Sequence, residues 1–206
     1  MSSRDRWEVG TKSTHITGLL HYRPSVLLVA ATALELNRLE DVEMLVCGIG
    51  PVEAAASTAR RLAAGSTPNG LLHVGIAGAR DLEPGTLVLG SEAVYCDLGV
   101  ESASVPIVTR AAPDPVLLRL ASEALPEAVV CPIGTSARVS GAAAHHGVEA
   151  MEGFAVLRAA EQAGVPALEL RAISNRYADT REEWRIEEAL AALAGAVPRL
   201  LELLDA

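Results

Sequence analysis

The sequence has few aromatic residues and no excess of positive charge. Its 206 residues include only 2 Trp, 3 Tyr and 1 Phe, and 17 Lys and Arg stand against 26 Asp and Glu, for a net charge of -9. Nucleic-acid binders need a basic face, and single-strand binders also use aromatic platforms for base stacking. The composition therefore argues against a nucleic-acid partner and, by its charge, against an anionic membrane surface.

Long apolar runs and a secretory signal are also missing. Apolar stretches such as residues 26–31 are far shorter than the ~20 residues of a membrane-spanning helix. The first 22 residues contain no apolar run of the kind that marks a signal peptide. We therefore predict no membrane association, and we interpret residues 1–23 as a flexible extension before a single domain over residues 24–206.

The three cysteines, Cys47, Cys96 and Cys131, are widely spaced and form no CxxC motif. An odd number of scattered cysteines predicts neither a disulfide framework nor a zinc site. We interpret each as a small core residue and expect the protein in a reducing cytoplasm.

Short apolar runs rich in Val, Ile and Leu alternate with Ala-rich segments. Continuous apolarity is typical of strands that are covered on both faces. Strands are predicted over residues 25–31, 42–47, 70–75, 86–94, 129–134 and 167–174. Helices are predicted over residues 51–64, 114–123, 153–163 and 182–204.

This alternation predicts an α/β fold, a three-layer α/β/α sandwich around a mixed, mostly parallel central sheet. In open α/β sheets ligands bind outside the carboxyl ends of the strands. Residues that directly follow the predicted strands are therefore the first candidates for a functional site.

Two glycine loops follow predicted strands. The segment CGIGPVEAA carries Gly48 and Gly50 but has Glu53 at the third position of the dinucleotide-binding fingerprint, so a tight turn is favoured over a cofactor site. The second loop, GIAGA, contains Gly75 and Gly78, whose missing side chains let a ligand approach the backbone closely. Alone, this loop favours a sharp turn over a site.

Three glutamates stand near predicted strand or helix ends. Glu35 follows a strand, where partial burial would raise its basicity toward that of a general base on water. Alone, its position favours a solvated carboxylate in the first turn of a helix. Glu149 and Glu152 stand at a predicted helix start, where one can cap the helix and the other can bind sugar hydroxyls.

Four segments, in this order and at these strand ends, resemble the nucleoside phosphorylase and nucleosidase superfamily. They run from Pro24 to the C-terminus and read LLVAATALEL, VCGIGPVEAAASTARRL, LLHVGIAGARDLEPGTLVLGSEAVYCDLGVE and VEAMEGFAVLRAAEQAGVPALELRAISN. The resemblance is to the branch of methylthioadenosine/adenosylhomocysteine nucleosidases and, within it, to the futalosine hydrolase family of the alternative menaquinone pathway. It implies a nucleoside phosphorylase-like fold, no cofactor and no metal.

The resemblance also implies roles for individual residues. Glu35 matches the water-activating glutamate of the family, and Met151 and Glu152 match the pair that packs under the ribose and binds its hydroxyls. The other matches concern the base: Ile76, Ala77 and Gly78 behind it, Ser174 and Asn175 facing it, Arg171 in a supporting or active-site role, and Val139 and Ser140 in the loop beside it.

Asn175 departs from the adenine-specific nucleosidases, which carry an aspartate at this position. An amide offers a donor to O6 of a 6-oxopurine and an acceptor to the hydrogen that N7 carries as the base leaves. An ionised aspartate would repel O6. Asn175 therefore favours hypoxanthine over adenine as the base, in agreement with the futalosine hydrolase family.

The expected reaction is thus hydrolysis of the N-glycosidic bond of futalosine, releasing hypoxanthine. The alternatives are a methylthioadenosine/adenosylhomocysteine-type nucleosidase, a purine nucleoside phosphorylase and a ligand-binding module without catalysis. Phosphate needs cationic or backbone donors, which the sequence near Glu35 lacks. The resemblance further implies a homo-oligomer.

The remaining candidates favour structural roles. His73 lies in a predicted strand and is interpreted as a hydrogen-bonded core residue. His145 and His146 are expected to face solvent. Trp184 is expected to anchor the last helix in the core rather than to contact a substrate.

Overall fold

The elements alternate along the chain as the apolar pattern predicts. The computed structural model describes residues 26–40, 42–98, 106–139 and 145–204. The strands are β1 (Val26–Ala30), β2 (Glu43–Val46), β3 (Gly70–Ala79), β4 (Leu87–Tyr95), β5 (Arg110–Ala111), β6 (Val129–Thr135), β7 (Val148–Ala150) and β8 (Ala167–Arg176). The helices are α1 (Ala33–Leu36), α2 (Pro51–Ala63), α3 (Pro115–Ala124), α4 (Gly153–Ala163) and α5 (Ile186–Leu204), with a 3-10 turn at Arg181–Glu183.

Strand β1 shows why its apolar run is continuous. Leu28 packs into a buried cluster with α3 and α5, whereas Leu27 and Val29 pack into a second cluster with α2 and α4. Successive side chains of a strand point to opposite faces, so both faces of β1 require apolar residues. The predicted three-layer arrangement around a mixed, mostly parallel sheet is confirmed.

The sheet closes on itself at one end. This closure was not predicted, because the sequence indicated an open sheet. Strand β3 pairs with β8 along one edge and with β7 along the other, and β8, β4, β6 and β7 pair in that order. Five strands therefore form a ring. A third cluster has all its buried members in these strands, including Ala77, Ile133, Val148 and Ile173.

The closure brings distant strand ends together. Glu149 of β7 pairs with Gly78 of β3 on one side and with Gly134 of β6 on the other. Since neighbouring strands lie about 4.8 Å apart, the two glycines are separated by roughly 10 Å. Asn175 of β8 also pairs with Gly78, so residues near the carboxyl ends of β3, β6 and β8 lie around Glu149.

Most predicted elements are confirmed, and the differences lie at their ends. Glu149 lies in β7 rather than at a helix start, and α4 begins at Gly153. Helix α5 begins at Ile186 rather than at residue 182, because Trp184 is extended (φ -64, ψ 128) after the 3-10 turn. The two shortest strands, β5 and β7, were not predicted.

The extension over residues 1–23 and the loop residue Ser140 both lie outside the described residues. Among the helices that are described, none is both long and apolar enough to cross a membrane.

Candidate active site

A cavity of about 380 Å³ lies at the strand ends that the ring closure brings together. Of the described residues that were predicted for the site, all but Arg171 line this cavity. They are Glu35, Ile76, Ala77, Gly78, Val139, Met151, Glu152, Ser174 and Asn175.

Glu35 is held at the cavity by its own turn and by β3. Its Oε2 accepts hydrogen bonds from the backbone N–H of Thr32 at 2.9 Å and from the hydroxyl of Thr32 at 3.0 Å. Its Oε1 accepts from the backbone N–H of Ile76 at 3.1 Å. Because the residue is only 9% exposed, the alternative of a solvated carboxylate is wrong.

Glu152 is a second buried carboxylate of the cavity, placed at the junction of β7 and α4. Its Oε1 accepts a hydrogen bond from the backbone N–H of Gly50 at 2.9 Å, and its Oε2 lies 3.7 Å from Nη2 of Arg171. Burial raises the pKa of Glu152; Arg171 and the N–H of Gly50 oppose this, and the charge of Glu35 adds to it. The two carboxylates are therefore close enough to interact.

The first glycine loop, which contains Gly48 and Gly50, binds the carboxylate of Glu152. Gly48 and Gly50 both have φ of 90°, a backbone conformation that side chains with a Cβ rarely adopt. The turn aims the N–H of Gly50 at Glu152. The loop is thus a tight turn, as interpreted from the sequence, and it also orients a residue of the cavity.

Arg171 lies beneath the cavity instead of lining it. Its side chain is 1% exposed, its Nε donates to Oε1 of Glu169 at 2.8 Å, and its Nη2 contacts Nε2 of His73. Burial by itself lowers the pKa of a guanidinium, but Glu169 and Glu152 outweigh it and raise the pKa of Arg171. Arg171 is therefore a buried cation that supports Glu152 from below.

His73 completes this support as a neutral ring. Its Nδ1 lies 3.1 Å from the carbonyl oxygen of Val29 and donates to it, which leaves Nε2 free to accept from Arg171. Burial, followed by the charge of Arg171, lowers the pKa of His73 well below its usual value. The interpretation of His73 as a hydrogen-bonded core residue is confirmed.

Glu169, which the sequence analysis did not single out, is the buried partner of Arg171. It is fully buried, and its Oε2 has no hydrogen-bond partner among the described residues. A Cβ at Gly153 would collide with its carboxylate, so the glycine at the start of α4 leaves the space that Glu169 occupies. The sequence did contain a signal for this ion pair, since Glu169 and Arg171 lie two positions apart in a strand that was predicted to be buried.

Ser174 and Asn175 lie side by side near the end of β8. The hydroxyl of Ser174 lies 2.9 Å from Oδ1 of Asn175, and Nδ2 of Asn175 donates to the carbonyl oxygen of Arg176 at 3.1 Å. An amide has two N–H donors and two acceptor positions. One donor and one acceptor position of Asn175 thus remain for a ligand.

Trp184 does not lie in the core, although that was expected from the sequence. It is half-buried and lines the cavity, rather than anchoring α5 inside the core. The guanidinium carbon of Arg181 lies 4.1 Å from the centroid of its ring. His145 is exposed and His146 is half-buried, so the expectation of a solvent-facing pair holds fully only for His145.

The floor of the cavity carries more carboxylates than cations. Within the described parts of the chain, no group of three or more His, Cys, Asp or Glu side chains is placed to hold a metal ion. Among the described residues, the carboxylates of Glu35, Glu152 and Glu169 all act on the guanidinium of Arg171, so negative charge exceeds positive charge at this part of the cavity. Such a floor stabilises a developing positive charge and repels an anion.

Similar proteins identify the family of the chain. The sequence profile of the phosphorylase superfamily matches residues 29–206. The chain is 40% identical to the futalosine hydrolase of Streptomyces coelicolor, with 86% of each chain covered. It belongs to the futalosine hydrolase family of the phosphorylase superfamily. The futalosine hydrolase of Thermus thermophilus is 36% identical, with 76% of this chain and 80% of the relative covered.

Solved structures share the fold of this family member. The 5′-methylthioadenosine/S-adenosylhomocysteine nucleosidase of Neisseria meningitidis, in complex with methylthio-immucillin-A, superposes with a TM-score of 0.76 at 22% identity. This match covers 87% of the present chain and 99% of the nucleosidase. The corresponding nucleosidase of Helicobacter pylori gives a TM-score of 0.77 at 16% identity, covering 88% and 99%. At these identities the likeness concerns the fold alone.

Gly75 should be essential to the packing of the cavity floor. A Cβ at this position would overlap Nη1 of Arg171 and lie 2.8 Å from Oε1 of Glu35. We expect Gly75→Ala to lower the free energy of unfolding in urea by about 1–3 kcal/mol, because neither buried group can move away freely. Gly195→Ala, where a Cβ meets nothing within 4 Å, is the matched control and should not destabilise the protein. Equal stability of the two variants would contradict this account.

Proposed function

We propose that this protein hydrolyses the N-glycosidic bond of futalosine, releasing hypoxanthine and dehypoxanthine futalosine, a step of the alternative menaquinone pathway. The observation that carries the proposal is the pair of buried carboxylates, Glu35 and Glu152, which line one cavity together with Asn175. The two similar proteins named futalosine hydrolase support the same substrate.

In this proposal Glu152 and Met151 hold the ribose. One oxygen of Glu152 is bound by Gly50 and the other faces Arg171 at 3.7 Å, which fixes the carboxylate plane while acceptor positions remain for the 2′ and 3′ hydroxyls. Met151 lines the cavity beside it as an apolar surface for the sugar. Fixing the ribose limits the motion of C1′ relative to the other reacting groups.

Glu35 is the proposed base for the attacking water. As the C1′–N9 bond breaks, its electron pair moves to the purine, which takes up a proton from solvent water at N7, and C1′ gains oxocarbenium character. A water oxygen then bonds to C1′, and the proton it loses passes to Glu35. The hydrogen bonds from Thr32 and Ile76 hold the carboxylate in place for this transfer.

Asn175 is the proposed clamp on the leaving base. Its remaining N–H bonds O6 of hypoxanthine, and its remaining acceptor position receives the hydrogen on N7. Ser174, through its contact with Oδ1, keeps the amide in this orientation. Ala77 and Gly78 add a wall of backbone and small side chains where the flat base can lie.

The function is tested directly by incubating the protein with futalosine in the presence and absence of phosphate. We expect hypoxanthine and the free sugar product in both cases, because the negative charge at the cavity floor disfavours phosphate as the nucleophile. Chromatography of the base and the sugar product measures the reaction. Release that depends on phosphate would assign the protein to phosphorolysis, and absence of release would refute catalysis on futalosine.

Replacing Glu35 tests its role in activating water. We expect Glu35→Gln to reduce kcat for futalosine by roughly 100-fold or more, the usual contribution of a general base, with little change in KM. The matched control is Glu40→Gln, which removes an exposed carboxylate from the same segment and should retain activity. Near-normal turnover of Glu35→Gln would remove this residue from the base role.

Replacing Asn175 tests the specificity for the base. In Asn175→Asp the donor to O6 is lost and an ionised oxygen faces it. We expect the ratio of inosine to adenosine hydrolysis to fall by roughly tenfold or more, since a mismatched buried polar contact costs about 1–3 kcal/mol. Base release from both nucleosides gives the ratio, which cancels any general loss of active protein. A wild-type protein that cleaves adenosine as well as inosine would refute the clamp.

We also propose a homo-oligomer in the cytoplasm. Ile49, just before α2, and Val52, in its first turn, are 62% and 77% exposed, and neighbouring exposed apolar residues mark contact surfaces. Cys47, Cys96 and Cys131 are free thiols in the described structure, which suits a reducing compartment.

A further inference from the structure

Two arginines of the cavity have no acidic partner among the described residues. Most arginines in the described ranges form ion pairs with carboxylates, as expected in a chain with excess negative charge. Arg138 and Arg181 line the cavity, yet neither forms an ion pair with a described residue. A cation that faces a ligand cavity unpaired is free to bind an anionic group of the ligand.

Arg181 is positioned by its aromatic neighbour. Its guanidinium lies over the ring of Trp184 at 4.1 Å, a cation–π contact that restricts a side chain which would otherwise sample many rotamers. The nearby carboxylate of Glu183 is engaged elsewhere, since its Oε2 accepts a hydrogen bond from the backbone N–H of Thr180 at 2.8 Å. The local fold thus presents Arg181 to the cavity while the carboxylate of Glu183 is bound to Thr180.

Arg138 is presented in a similar way by the loop after β6. The carboxylate of Asp97 accepts from the hydroxyl of Ser136 and from the backbone N–H of Ala137, each at 2.7 Å. The hydroxyl of Ser136 accepts in turn from the backbone N–H of Arg138 at 3.0 Å. Asp97 is therefore used to shape the loop, and the guanidinium of Arg138 is left for the cavity.

We propose that Arg138 and Arg181 form an anion-binding subsite that takes a carboxylate at the end of the substrate's 5′ substituent, with Trp184 as its aromatic wall. This inference rests on the proposed function and specifies how the substrate is recognised beyond its base and ribose. Planar guanidinium groups bind carboxylates through two parallel hydrogen bonds. The negative charges of Glu35 and Glu152 repel an anion from their part of the cavity. An acidic nucleoside therefore binds with its anionic end at the two arginines.

Inorganic phosphate has the same anionic chemistry and is the second possible source of such a group. As the nucleophile it would have to reach C1′ beside Glu35 and Glu152. A carboxylate on the 5′ substituent meets no such requirement and can bind at the arginines while water attacks C1′. The arrangement of charges therefore favours the substrate's own carboxylate.

The test compares three hypoxanthine nucleosides: futalosine, whose 5′ substituent ends in a benzoate, its methyl ester, and inosine, which lacks the substituent. For Arg181→Gln and Arg138→Gln we expect kcat/KM for futalosine to fall roughly 10- to 100-fold, mainly through KM, as for loss of a charge-assisted hydrogen bond. The loss for the ester and for inosine should be at least about tenfold smaller. Arg181→Lys should recover part of the affinity, because it restores the charge without the planar fork.

The matched control is Arg185→Gln. Arg185 is an exposed arginine of the same segment, pairs with Glu188 and does not line the cavity, so its replacement should leave all three rates near those of the wild type. Equal losses for futalosine and its methyl ester in the cavity variants would overturn the subsite. So would a wild-type requirement for phosphate that the arginine variants abolish. If the wild type releases hypoxanthine from none of the three nucleosides, the proposed function fails instead.

Discussion

The site depends on one buried contact, the guanidinium of Arg171 between Glu169, His73 and Glu152. A cation that is 1% exposed is stable only while its carboxylate and imidazole partners stay in place, since an unpaired buried charge costs several kcal/mol. The surrounding residues meet this condition. His73 is neutral and offers a lone pair, and the glycines at 75 and 153 leave room for Arg171 and Glu169. The carboxylate of Glu152 is oriented by this cation at 3.7 Å together with the N–H of Gly50 at 2.9 Å.

Closure of the sheet places the other residues of the cavity next to Arg171 and its partners. Because β7 pairs with β3 and β6 at once, the residues that follow it are delivered beside Ile76 and the end of β8. Met151 and Glu152 reach the cavity by this route, while Glu35 reaches it from β1 through its hydrogen bond to Ile76. The cavity therefore combines acids from separate parts of the chain above one buried cation. This arrangement suits a reaction in which positive charge develops on the sugar.

The fold could be predicted from the sequence where local pattern and tertiary environment agree. Strand β1 is apolar at every position because both its faces are buried, and α4 runs from Gly153 to Ala163 as its composition indicates. Prediction failed where an element is too short to carry a pattern, as in β7, whose three residues exist as a strand only through pairing on both edges. Trp184 was misassigned because an aromatic residue next to an amphipathic helix is as compatible with a cavity wall as with a core.

The sequence by itself determined the α/β class, the strand ends at which polar residues gather, and the types of residue available there, because these depend on neighbours along the chain. Only the tertiary structure decided that Glu35 is buried and bonded to a strand 41 residues away, and that Arg171 lies below the cavity. It also decided that Arg138 and Arg181 line the cavity with no acidic partner among the described residues. Burial and pairing of charges are set by strand order and by the closure of the ring. Both bring together residues that no local pattern connects.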